Sequence, residues 1–294
     1  MLGIIIPYFK PDLFDRVLNS LNNQINKEFV VFIGDDCSPV PISHFEHQFK
    51  FNYTYRRFEK NLGNTSLVEH WKRCINHLDD SVTWFMILGD DDELSSDFSL
   101  CFYKSERLTN LLRINAMPVE YRNGIPFKGE LTCFKSTCNI EDIYLNKFPQ
   151  LNGGLYEPLV LSQFVFRREL FKFEYLRDYP LAWHTDDYLA LIMGVNGVTV
   201  LPSAFVIVNH YNNISRNTQL RKKRISSFLY FLDFQSLSFV SAKAKKNVFR
   251  LLIKKDFNVA EFVTAGSFVF RTYGVFKALH LCAVFLVYRF RCLR

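Results

Sequence analysis

Hydrophobic and polar positions along the first hundred residues repeat with two alternating periods. "LGIIIPYF" is a compact apolar run of strand length, whereas "PDLFDRVLNSLNNQ" places Leu13, Val17, Leu18 and Leu21 at helical spacing, and "EFVVFIGDD" is a second apolar run ending in acids. Together they predict a βαβ unit. "FNYTYRRFEK" then alternates like a strand, "TSLVEHWKRCINHL" has helical periodicity, and "SVTWFMILGDDD" is a third apolar strand that again ends in acids. Strands alternating with helices predict an α/β fold with a mostly parallel, doubly wound sheet flanked by helices, in which ligands lie beyond the carboxyl ends of the strands. After about residue 115 the pattern loosens into loops and short strands, then resumes with a helix at "DDYLALIMGVNG" and a strand at "VTVLPSAFVIVNHY".

Beyond residue 212 the character changes. Residues 213–294 carry 16 Lys and Arg against 3 Asp and Glu in a chain of net charge +7, so residues 1–212 are net acidic. The expected organisation is a domain over 1–212 followed by a basic, aromatic, helical extension over 213–294. Its last stretch is interrupted by Arg271, Lys277 and His280, short of the clean apolar run of ~20 residues that a spanning helix needs. It reads either as an interfacial element, peripheral at the inner face of a plasma membrane, or as helices packed on the first domain with a solvated basic face. No nucleic-acid-binding module is present in the sequence to claim the basic charge.

Composition adds limits. A chain of 294 residues that is 49% hydrophobic can bury a sizeable core. Seven cysteines without a CxxC pair suggest neither a zinc site nor a disulfide framework, which fits a reducing cytoplasm. "MLGIIIPYFKP" lacks the basic segment of a signal peptide, so the first strand is expected almost at Met1.

The candidate chemistry sits at the two acidic strand ends, "GDD" at 34–36 and "GDDD" at 89–92. Adjacent carboxylates repel unless a cation, donors or water offset the charge, and Mg²⁺ or Mn²⁺ is commonly bound by one or two carboxylates together with substrate phosphates. The bland alternative is a solvated turn that caps the helix beginning near Ser95 and Ser96. Asp36 suits either a hydrogen bond to a base or ribose, or an Asx turn before Pro39. The loop "NLGNTS" offers Asn61, Gly63 and Asn64 for close approach to a ligand, or is a connector. Asp186 and Asp187 in "WHTDDYLAL" suit either helix-dipole compensation or general-base work, and His184 and His210 either a structural role or assistance to a metal or phosphate.

Taken in order, "IIIPYF", "FIGDDCSP", "NLGN", "ILGDDD" and "TDDYLAL" resemble the family 2 glycosyltransferases of GT-A fold over roughly residues 3–210. That resemblance implies metal-assisted, inverting transfer of a sugar from a nucleotide-diphosphate sugar to a glycan or lipid-linked hydroxyl, with surface-polysaccharide assembly such as lipopolysaccharide as the setting. It implies that Pro7 and Tyr8 lie at the nucleotide with the "NLGN" residues, that Asp36 contacts the base, and that Asp91 holds the divalent cation. Gly89 stands where the family usually carries its first acid, so Asp90 or Asp92 would supply the ribose or second metal contact. The base is expected at Asp187, in the pair with Asp186. Two alternatives share the scaffold: a nucleotidyltransferase, although "PYFKPDLFD" lacks a glycine-rich phosphate loop, and a non-catalytic nucleotide-sugar- or glycan-binding protein.

Overall fold

A computed structural model describes residues 1–132, 139–140, 159–210 and 220–248, with isolated positions between 266 and 283. Strands β1 (Leu2–Tyr8), β2 (Phe29–Asp35), β3 (Tyr53–Arg57) and β4 (Trp84–Ile87) alternate with helices α1 (Phe14–Asn22) and α2 (Leu67–Ile75), as the periodicity predicts. These four strands run parallel in the order β3-β2-β1-β4. Further strands extend the sheet in mixed orientation: β5 (Glu93–Leu94), β6 (Leu111–Arg122), β7 (Ile125–Lys128), β8 (Phe164–Arg167) and β9 (Thr199–His210). β8 joins β4 to β6 through antiparallel pairs, β6 pairs β9 in parallel, and β5 caps the far edge.

Alternation within the strands divides the core in two. On one face, Ile5, Phe32, Phe85 and Ile87 pack against α2, against α4 (Thr185–Met193) and against α5 (Leu220–Ser236). On the other, Leu2, Ile4, Ile6, Val31, Ile33, Trp84 and Met86 pack against α1 and α3 (Phe98–Lys104). Successive side chains of a strand point to opposite faces, so a continuous apolar run is what a sheet covered on both sides requires. Each fully buried side chain of this size contributes roughly 1.5–3 kcal/mol. α2 is started by Ser66, whose Oγ accepts the Glu69 N–H at 3.0 Å.

One stretch departs from expectation, and beyond residue 212 one of the two readings is met in part. The loosened region after 115 contains β6, a twelve-residue strand. Its apolar run is broken by Arg113, Asn115 and Pro118, and Arg113 and Asn115 are buried nonetheless, so the pattern concealed the strand. Asn115 spends its amide on the Pro202 carbonyl at 2.7 Å, where the β6–β9 register shifts. Beyond residue 212, α5 buries Phe228, Leu229, Tyr230, Phe231 and Phe234 in the same cluster as β4 and α4, and α6 (Ala242–Val248) adds Ala244 and Val248. Among the described residues no helix is long and apolar enough to cross a membrane; most of the final basic stretch lies outside the described residues.

Candidate active site

β1, β2 and β4 deliver their carboxyl ends to one edge of the parallel half-sheet, and both acidic clusters stand there. At the end of β1 the two aromatics face opposite ways. Tyr8 is fully buried, its ring 4.5 Å from that of Phe14 and its hydroxyl donating to the Val40 carbonyl at 2.7 Å. Burial pushes its hydroxyl pKa up to about 12. Tyr8, expected at the nucleotide, has a core side chain, and Phe9, 37% exposed, is the aromatic presented at this strand end. Pro7, paired in register with Gly34, is half-buried one residue earlier.

The acids of "GDD" are used by the protein itself. Asp35 accepts from the Ser38 N–H, the Tyr55 hydroxyl and Arg57 Nη1, each at 2.7 Å. Asp36, expected at a base, is 2% exposed and accepts the Leu62 and Gly63 N–H groups at 2.8 and 2.7 Å, with Arg73 Nη2 in contact. Burial raises its pKa and these donors oppose the rise. Asp36 thus fastens the "NLGN" loop to β2, and Gly63 is a requirement of that contact because a Cβ there would lie 2.7 Å from Asp36 Oδ2. Asn61 Oδ1 accepts the Asn64 N–H at 3.0 Å, which closes the loop on itself, and Asn64 is exposed.

The triplet after β4 answers its own repulsion in three different ways. Asp90 accepts the Phe9 and Lys10 N–H groups at 2.8 and 2.6 Å, which ties β4 to the end of β1. Asp92 accepts the Ser162 hydroxyl at 2.5 Å and the Asn209 N–H at 3.1 Å, tying the turn to β9. Asp91 meets the ammonium of Lys10, which also lies 3.7 Å from Asp90 Oδ1. Burial lifts the Asp90 pKa to about 6 and the Asp92 pKa to about 8, with the neighbouring Asp91 charge adding to both rises. Asn209 also donates its amide to the Asp91 carbonyl at 2.7 Å and to Glu93 at 3.1 Å, and accepts from Tyr121 at 2.9 Å. A Cβ on Gly89 would lie 2.9 Å from Asp92 Oδ2 and 3.0 Å from Asp91 Oδ1, so a side chain there would crowd these two carboxylates.

Hard carboxylate oxygens at a strand end are donors that suit Mg²⁺ or Mn²⁺. Among the described residues no three His, Cys, Asp or Glu side chains converge as a ready-made cage. Both Asp92 oxygens accept from protein donors and Asp90 is bound to the β1 end, so the donor set fits a cation held by Asp91 together with ligand oxygens.

The expected base pair opens α4. Asp187 has no solvent exposure, and its Oδ2 lies 2.7 Å from His184 Nδ1. His184 Nε2 is 3.0 Å from Ser227 Oγ on α5, and its ring stacks on Tyr230 with centroids 4.8 Å apart. Asp186 is half-buried and accepts the Asp187 N–H at 2.9 Å. The segment entering α4 holds three non-glycine residues at positive φ: Leu181 (63°), Ala182 (52°) and His184 (74°). Such backbone is costly and concentrates at functional sites. His210 ends β9, in register with Glu120.

Sequence reasoning passed over Lys10, Ser162, Asn209 and Ser227. Only Lys10 left a visible signal, as a basic residue two places beyond the first strand; the others converge from distant parts of the chain.

No protein-family model matches the chain, and no curated protein matches it in sequence. Solved structures do. S. aureus TarS residues 1–349 in complex with UDP-GlcNAc matches at 16% identity over 92% of this chain and 80% of that one, with a TM-score of 0.61. The same TarS fragment in complex with UDP matches at 16% identity over 92% and 81%, with a TM-score of 0.59. A longer TarS structure matches at 16% identity over 88% of this chain and 44% of that one, with a TM-score of 0.58. The chain therefore has the GT-A fold, shared with TarS along most of its length.

Proposed function

We propose that the protein is a glycosyltransferase that moves a sugar from a nucleotide-diphosphate sugar to a hydroxyl acceptor with inversion. The observation that carries this reading is the carboxylate triplet at the end of β4, locked by Asp90 to the end of β1 and by Asp92 to β9, so that Asp91 is presented with a cation beside it. The UDP and UDP-GlcNAc complexes of TarS, on the same fold, support a uridine diphosphate sugar as the donor class.

In this reading the nucleotide lies across the ends of β1 and β2, against Phe9 and the loop that Asp36 fastens. The diphosphate faces Lys10 and Asp91. When bound there, a divalent cation offsets the charge that grows on the departing diphosphate. Asp187 takes the proton of the attacking hydroxyl, with Asp186 beside it at the start of α4. A carboxylate is needed because an alcohol is too weakly acidic to attack unaided. His184 holds the Asp187 carboxylate in one orientation, and one direct displacement inverts the anomeric carbon. The acceptor is a glycan or lipid-linked hydroxyl, and peripheral contact of the basic end of the chain with an anionic leaflet would hold the enzyme beside it.

The test is a thermal-shift panel of UDP-, GDP- and dTDP-sugars with and without Mn²⁺, on the intact protein and on Asp91→Ala. A ligand that binds only the folded state raises its apparent stability with the logarithm of concentration over Kd. Metal-dependent stabilisation by one nucleotide, absent in Asp91→Ala, is expected. Failure of every donor to stabilise the wild-type protein refutes the proposal.

A further inference from the structure

We infer that Lys10 is a mobile counter-charge: it neutralises Asp91 in the donor-free protein and transfers to the diphosphate when donor binds, so that metal and nucleotide enter as a coupled pair. The inference rests on the donor-binding reading proposed above and adds to it a residue and an order of events.

Three facts carry it. First, Lys10 addresses the triplet with both its backbone N–H and its charged side chain. Its N–H is bound to Asp90 at 2.6 Å, which fixes where the side chain starts, and its ammonium contacts Asp91 and stands 3.7 Å from Asp90 Oδ1. Second, the two flanking carboxylates are held by donors of their own, Asp90 by the β1-end amides and Asp92 by Ser162 and Asn209, whereas Asp91 carries the ammonium. Third, the Lys10 side chain keeps 31% of its surface exposed while the Asp91 side chain keeps 13%, so the cation lies on the solvent side of the acid, where a ligand arrives.

An ammonium on a flexible four-carbon stem is a point charge that can change partner without moving the backbone. A divalent cation that arrives alone must displace it and gains a single carboxylate. A diphosphate changes both sides of that balance. It supplies oxygen ligands for the metal and offers the displaced ammonium a doubly charged partner. Coupling of this kind is reciprocal: whatever the nucleotide does for metal affinity, the metal does for nucleotide affinity.

The test uses the full-length protein as wild type, Lys10→Met and Lys10→Arg, each checked for a cooperative unfolding transition. Mn²⁺ alone is titrated and free Mn²⁺ is read by its electron paramagnetic resonance signal. UDP alone is titrated by calorimetry in chelator. An opposite charge at contact distance shifts a carboxylate's affinity for a proton by about tenfold or more, and a change of that size is expected here. Lys10→Met should bind Mn²⁺ alone about tenfold more tightly and UDP in chelator about tenfold more weakly, with Lys10→Arg close to wild type in both.

Unchanged values in Lys10→Met overturn the inference. A change in Mn²⁺ affinity without one in UDP affinity makes Lys10 a fixed counter-ion and overturns the transfer. If Lys10→Met does not fold, wild type decides: Mn²⁺ binding of equal strength with and without UDP overturns the coupling. Wild-type protein that binds no UDP under any metal condition refutes the glycosyltransferase reading itself, and the transfer falls with it.

Discussion

His70 illustrates how much a single buried residue constrains the site. It is 1% exposed and accepts the Arg73 Nε–H at Nδ1, at 3.0 Å, while Arg73 reaches on to Asp36. Burial, with the Arg73 charge second, pushes its pKa down to about 3, so the 3.7 Å approach to Asp36 is not an ion pair. Because the folded value lies below the unfolded one of 6.5, the unfolded chain binds the proton first. The stability that neutral His70 contributes is present above pH 6.5 and is lost as pH falls from there toward 3. Urea unfolding at pH 7 and pH 4.5 should show a drop that is smaller in His70→Gln than in wild type; equal drops would assign the acid lability elsewhere. Gly63 is the second residue with a sharp prediction. Gly63→Ala forces the "NLGN" loop off Asp36, at a cost of roughly 1–3 kcal/mol in stability. Chemical denaturation measures that loss, and donor affinity should fall with it.

At the level of elements, α4 and α5 act as a unit. The strained turn before α4 carries Leu181, Ala182 and His184 at positive φ, which costs on the order of 1–3 kcal/mol per residue. What holds it is packing from α5: Tyr230 stacks on His184, Ser227 meets its Nε2 at 3.0 Å, and the Ser226 hydroxyl donates to the Trp183 carbonyl. Ser227→Ala should cost about 0.5–1.5 kcal/mol in stability, the net worth of one hydrogen bond. It should also lower turnover while leaving donor affinity unchanged, since it touches the segment presenting Asp187 and not the β1–β4 edge. Calorimetry with UDP beside a turnover assay separates the two, and a loss of donor affinity would contradict the division of labour. The same scale explains why β6 was hidden. A strand that buries Arg113 and Asn115 breaks the apolar alternation on which strand recognition depends.

For the whole molecule, the decisive feature is where the basic segment begins. The first turn of α5 carries Arg221, Lys222, Lys223 and Arg224, yet Ile225, Phe228 to Leu232 and Phe234 are buried in the same core cluster as residues of β4 and α4. A chain ending at residue 212 would therefore expose a face of large apolar side chains. The expected result is aggregation, or loss of the cooperative unfolding transition seen by circular dichroism. A shortened chain that unfolds cooperatively at the wild-type temperature would show that α5 is dispensable to the fold.

What the sequence determined by itself is local in origin. The apolar runs ending in "GDD" and "GDDD", and the helical spacing between them, specified the parallel half-sheet and put both acid clusters at one edge, because strand period and chain order are written in neighbouring residues. "TDDYLAL" likewise marked the start of α4. Tertiary structure alone decided what each acid does. Tyr8 is the last residue of β1 and Phe9 the first beyond it, so one side chain is still covered by the core and the other stands at the rim. Asp36 is claimed by a loop some 26 residues on, Asp92 by Ser162 and Asn209, and Asp187 by a histidine that α5 holds in place. These partners come from distant parts of the chain, and no periodicity records them. The positions of the carboxylates were legible because strands end where their apolar pattern ends; their roles were not, because hydrogen-bond partners are chosen by packing.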